Sequence, residues 1–238
     1  GDLTTSLGSD SWKGIWVVNG NNTTVDTIEF ACATSRLNNP FCSGVAVGDD
    51  NAAGIRLQAA GLTVRNSYFH DNDNGILGGP ITSSPVGTVL IENTEFFRNG
   101  WGDGQSHNLY LNRNNDKLIF RNNYSRGAIV GHQLKSRAGT NEILYNRFMD
   151  ESNGVINDCT DPGTCGSSVP IELPCGGLTY VIGNVIQKGS NADSGDVVKY
   201  AAELGSSACS TSAPTTYELY VVNNTLVNER ATGANFIR

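Results

Sequence analysis

The sequence predicts an all-β fold, a right-handed single-stranded parallel β-helix of about seven coils with loop insertions. Three observations carry that expectation. A loose motif recurs seven times, a second short strand precedes nearly every copy, and no long segment with a helical apolar period competes.

The motif occupies Val25–Cys32, Leu62–His70, Val89–Phe97, Leu118–Ser125, Glu142–Phe148, Thr179–Ile186 and Leu219–Val227. Most copies run as alternating β-formers, a small polar residue, then an aromatic or aliphatic one. The polar slot holds Ser67, Thr94, Asn123, Asn146, Asn184 and Asn224, at intervals of 27, 29, 23, 38 and 40 residues. An asparagine there suits a tight bend, where its amide can bond the same amide one coil away. The preceding strands are Gly14–Val18, Gly54–Leu57, Gly75–Gly78, Asn108–Leu111, His132–Ser136, Pro170–Leu173 and Val197–Tyr200. Their inward residues are expected to be Ile15, Ile55, Ile76, Leu109, Leu134, Ile171 and Val198. Insertions fall at Met149–Val169, Lys188–Asp196 and Glu203–Tyr217, and Gly233–Arg238 begins a further coil. A jelly roll is the alternative; uneven intervals argue against a propeller.

Composition narrows the function classes. The 238 residues are 38% hydrophobic and 16% charged, with Met149 the single methionine. No apolar run reaches the ~18 residues of a membrane span, so no membrane insertion is expected. A net charge of -7 without a Lys/Arg cluster disfavours nucleic acid as a partner. Six cysteines, three histidines and no CxxC pair favour disulfides over zinc and place the chain in a secreted, oxidising setting. The preferred pairing is Cys32–Cys42, Cys159–Cys165 and Cys175–Cys209, the last tying loops of consecutive coils. Sequons at Asn21, Asn22, Asn123 and Asn223 permit glycosylation. The chain starts at Gly1 without Met and shows no amphipathic capping helix, so an excised segment or ends covered by another subunit are expected. End-to-end homo-oligomerisation into a fibre follows from the second option.

The outward side of the preceding strands is the most informative surface. Alternation predicts a row of Trp16, Arg56, Leu77, Tyr110, Lys135, Glu172 and Lys199, flanked by His107, His132 and Arg137. Such a row suits an extended polysaccharide. Trp16 and Tyr110 would stack on sugar rings, Arg56 and Lys199 would extend the groove, and Lys135 or Arg137 would neutralise a uronate carboxylate. For β-elimination or C5-epimerisation, Lys135, His132 or His107 would be the base and Tyr110 the acid. Glycoside hydrolysis needs two carboxylates, for which Glu172 is well placed and Asp103 and Glu203 are distant. A plain ion-pair ladder of Lys135, Glu172 and Lys199, with structural histidines, is the non-functional alternative. The run from His70 to Gly75 places Asp71 and Asp73 at alternating positions, as a Ca2+ loop does, but lacks a bidentate Glu. Asn99–Gln105 is glycine-rich yet lacks the Lys-Ser/Thr ending of a phosphate loop; it reads as a turn bringing Asp103 toward the row.

Gly100–Tyr110, Gly131–Ala138, Ile143–Arg147, Glu172–Gly177 and Tyr180–Gln187 resemble bacterial right-handed parallel β-helix repeat proteins, mostly of unassigned activity. The resemblance runs from about Gly14 to Asn228 and implies the fold. A more distant similarity is to the polysaccharide lyases that include chondroitinase B and alginate lyases. In them a Lys-Ser step supplies the base, matched by Lys135-Ser136, and an Arg on a following coil assists. Here Glu172 stands where that Arg is wanted, with Arg137 or Arg147 as substitutes. The similarity also implies calcium held by acidic and amide residues. The sequence therefore leaves a lyase- or epimerase-like enzyme beside two alternatives, a non-catalytic glycan-binding protein and a self-assembling surface subunit.

Overall fold

Each coil is built around the tight bend at the polar slot. One residue with positive φ, between 49° and 69°, turns the chain before every slot: Thr27, Asn66, Asn93, Asn122, Tyr145, Gly183 and Asn223. Asparagine and glycine adopt this conformation cheaply, which explains their recurrence. The slot side chain then accepts the slot backbone N–H of the coil before it. Thr94, Asn123, Asn146 and Asn184 donate their N–H in this way to Asn123, Asn146, Asn184 and Asn224 at 2.8–2.9 Å. The side-chain amides donate in turn to carbonyls of the preceding coil, as Asn146 does to Phe120 at 2.8 Å. The anticipated amide-to-amide bonds are present between Asn146 and Asn184 and between Asn184 and Asn224.

The computed structural model describes residues 13–34, 42, 52–78, 87–100, 102, 104–112, 116–150, 166–209 and 216–238. Its strands form a parallel β-helix of three sheets, and every pairing between them is parallel, which excludes the jelly roll. Sheet 1 stacks Gly14–Val18, Ala53–Leu57, Asn74–Gly78, Leu109–Leu111, Leu134–Ser136, Ile171–Leu173, Asp196–Tyr200 and Asn235–Ile237. Sheet 2 stacks Thr23–Asp26, Leu62–Arg65, Thr88–Glu92, Lys117–Arg121, Thr140–Leu144, Leu178–Ile182 and Leu219–Val222. Sheet 3 stacks Glu29–Ala31, Tyr68–His70, Glu95–Phe97, Tyr124–Arg126, Arg147–Met149, Val185–Lys188 and Thr225–Asn228. These make seven coils, and Asn235–Ile237 opens an eighth.

The interior is a column of like on like. Ile55, Ile76, Leu109, Leu134, Ile171 and Val198 line it from sheet 1, all fully buried. Opposite them, Phe30, Phe69 and Phe96 stack at centroid distances of 4.7 and 5.1 Å. In the next coil Ser125 takes the phenylalanine position of sheet 3, and Phe120 fills the space from sheet 2. Phe148 resumes the column. A second amide ladder at the bend from sheet 3 to sheet 1, formed by Asn72, Asn99 and Asn108, was not apparent in the repeat.

One inward assignment is corrected. Trp16, not Ile15, pairs with Ile55 and sets its ring edge-on to Phe30 at 5.1 Å, although it stays 41% exposed and Ile15 also packs against the core. Gly-Ile-Trp-Val-Val offers no polar residue to fix the frame of alternation, and the register of the next coil decides it. Disulfides join Cys32 to Cys42 and Cys175 to Cys209, as expected. Cys159 and Cys165 lie outside the described residues.

Candidate functional site on sheet 1

The outward row of sheet 1 is Val17, Arg56, Leu77, Tyr110, Lys135, Glu172 and Lys199, in unbroken register. Except for Trp16, this is the row the alternation predicts. Ion pairs cluster at its centre. Glu172 receives Lys135 Nζ at 3.0 Å on Oε2 and Lys199 Nζ at 3.6 Å on Oε1. Burial opposes its ionisation, but the contacts with His132 and Lys135 outweigh that and hold the carboxyl far below the usual range.

Glu203, distant in the sequence, completes the cluster. It accepts Arg137 Nη2 at 2.7 Å and lies 3.8 Å from Lys135 Nζ. The loop that carries it is pinned at one end by the Glu203 N–H on Pro174 O and at the other by the Cys175–Cys209 disulfide. Arg137 Nη1 donates to Tyr110 Oη, and the guanidinium carbon lies 5.2 Å from the centre of that ring. Arg137 is 9% exposed, and its Nε is buried without a hydrogen-bond partner among the described residues.

The histidines occupy the same outer side, because the strands begin only at Leu109 and Leu134 and alternation does not extend back to them. Asn108 and Gln133 turn toward the interior corner instead, bonding Ser125 and Asp150. His107 and His132 stack at 4.7 Å. The N–H of His132 donates to His107 Nδ1, and the N–H of Val169 to His132 Nδ1. Asn74 Oδ1 accepts the N–H of His107 in the same manner one coil earlier. Burial pushes both rings toward the neutral form, His107 strongly so. Each neutral ring therefore carries its proton on Nε2, and that of His132 lies 2.7 Å from Glu172 Oε2. With their lone pairs taken by backbone N–H groups, neither histidine has a basic nitrogen to offer. Their role here is to satisfy the backbone and to seat Glu172.

No protein-family model matches the chain, and no curated protein or solved structure matches it.

The remaining sequence candidates lie elsewhere. Arg147 is on the outer face of sheet 3, its guanidinium 5.1 Å from the centre of the Tyr124 ring, and cannot stand in for the missing arginine. Asp71 and Asp73 do not converge on one point. Asp71 takes both Arg98 and His70, whereas Asp73 accepts from Thr34. Their oxygens are engaged by protein donors, which does not fit a calcium site, and no step is derived through one. Among the described residues no group of three or more acidic, histidine or cysteine side chains forms a metal site. Asp103 lies outside the described residues. Glu203 sits in an insertion, and its one sequence signal is its place between the two cysteines of the loop staple.

Proposed function

We propose that this secreted β-helix binds a uronate-containing polysaccharide along sheet 1 and cleaves it by β-elimination. The supporting observation is the charge balance of the cluster: among the described residues, Lys135, Arg137 and Lys199 form their ion pairs with Glu172 and Glu203. Among the described residues, three cations thus meet two carboxylates here on a chain of net charge -7, a local excess that favours an anionic polymer. The two disulfides fit an oxidising compartment.

Elimination requires a base at C5 of the uronate and a proton for the departing O4. Tyr110 is the group for both steps. A cation beside a phenol stabilises its phenolate, and Arg137 touches Oη while Lys135 Nζ lies 5.7 Å from the ring centre. The phenolate removes the C5 proton, the C–H electron pair becomes the C4=C5 bond, and the C4–O4 bond breaks. The phenol then returns the proton to O4. Lys135 thereby changes from the expected base to a cation that serves the carboxylate, since it is held by Glu172 and Glu203.

The test is incubation with a panel of uronate polysaccharides, followed by the ultraviolet absorbance of the unsaturated product. The expected result is a rising signal that Tyr110→Phe abolishes while polymer binding persists. A flat trace with the wild-type protein removes the lyase reading. Binding without turnover is the second reading, and the engaged Nδ1 atoms of both histidines favour it; retained polymer affinity beside a flat trace would establish it.

A further inference from the structure

We infer that Glu203 is an internal stand-in for the substrate carboxylate, seated in a subsite formed by Arg137 and Lys135 that a uronate enters by displacing it. This rests on the polysaccharide reading above and specifies how the site takes its ligand.

The geometry comes from one guanidinium. Arg137 Nη1 is on Tyr110 Oη, and Nη2 is 2.7 Å from Glu203 Oε2. A carboxylate replacing that of Glu203 would therefore sit on the nitrogen next to the one that holds the phenol. The proton to be removed in β-elimination is on the carbon bearing the carboxylate. Arg137 thus places the acidic C–H beside Tyr110 by construction, and Lys135 Nζ, 3.8 Å from Glu203 Oε1, supplies the second charge on the same carboxylate.

Three features separate an occupant from a fixed structural partner. Glu203 is a loop residue, about a third exposed at its side chain, whereas Glu172 within the row is only 5% exposed. The backbone bond to Pro174 and the nearby disulfide hold the loop, so the side chain can swing away without the loop moving. Finally, Glu203 leaves Arg137 incompletely used: the buried Nε has no partner among the described residues, and a ligand with more oxygens than one carboxylate could reach it.

An internal occupant lowers the apparent affinity of a competing ligand to the fraction of time it leaves the site open. If Glu203 fills it nine-tenths of the time or more, its removal strengthens binding about 10-fold or more. The experiment is calorimetric titration of the wild type, Glu203→Gln and Arg137→Gln with a uronate oligosaccharide and its carboxyl-reduced, neutral counterpart. Circular dichroism checks that each variant is folded, and Glu203→Ala repeats the measurement with a smaller side chain. The expected result is tighter binding by both Glu203 variants, confined to the charged ligand, and loss of that gain when Arg137→Gln is added. Equal or weaker binding by the Glu203 variants, with the wild type still binding, overturns the inference and leaves the polysaccharide reading standing. Failure of every form to bind overturns both.

Discussion

At the scale of single residues, the protonation states of the cluster follow from which backbone groups the rings must serve. His107 and His132 are neutral because burial penalises the cation and because Nδ1 of each accepts a backbone N–H. Both have folded pKa values below those of the unfolded chain. The unfolded state therefore binds protons first, and stability is full above about pH 6.5 and declines below it. Each ring contributes a slope of up to about 1.4 kcal/mol per pH unit. His70, whose bond to Asp71 raises its pKa, opposes one of the two, since its contribution is present at low pH and lost as pH rises. Glu172 changes stability only in a lower pH range: its depressed carboxyl stabilises above about pH 4 and loses that effect as pH falls further. Urea midpoints measured from about pH 7.5 to 5 should fall for the wild type. They should fall less for His107→Asn, whose amide can accept the same N–H without titrating, as Asn74 does. Equal slopes would mean that the rings are not neutral in the fold.

At the scale of the coil, most of the hydrogen-bonding duty at the bend falls on one side chain. Asn146 accepts the N–H of Asn123 and donates to Phe120 O and Asn184 Oδ1, all within the buried bend. Asn146→Ala should cost about 2–4 kcal/mol in urea unfolding, because two buried backbone groups lose their partners at once. Asn224→Ala, at the more exposed last coil, should cost less. A similar cost for both would remove the ladder from the account of stability. This ladder was legible in the sequence because a bend that repeats must reuse the same residue type, and an asparagine side chain can bond both the backbone and its own kind one coil away. The outer row was legible for a similar reason, since period-two alternation fixes faces wherever a polar residue marks the frame. Where that marker is missing, as in Gly14–Val18, alternation leaves the frame open and only the register with the next coil fixes it. Where the strand has not yet begun, as at His107 and His132, alternation says nothing. Glu203 reaches the cluster through a loop, and loop paths follow no period.

At the scale of the whole molecule, the Cys175–Cys209 disulfide ties the loops of consecutive coils and supports the residue that fills the proposed subsite. Replacing both cysteines by alanine should lower stability by about 2–4 kcal/mol. It should also weaken the hold of Glu203 on Arg137, so that uronate binding tightens while the protein becomes easier to unfold. Binding that weakens in parallel with stability would assign the staple to folding alone. The site itself spans four coils, from Tyr110 to Lys199, and its groups are separated along the axis by the spacing of parallel strands, about 4.8 Å per coil. Distances in such a site can change only in whole steps. Gain or loss of a coil before Tyr110 or after Glu203 would lengthen or shorten the molecule and leave the cluster intact, whereas the same event between Lys135 and Glu172 would part the groups by one full step. Lineages of this chain are therefore free to vary in length at their ends and bound to keep count in the middle.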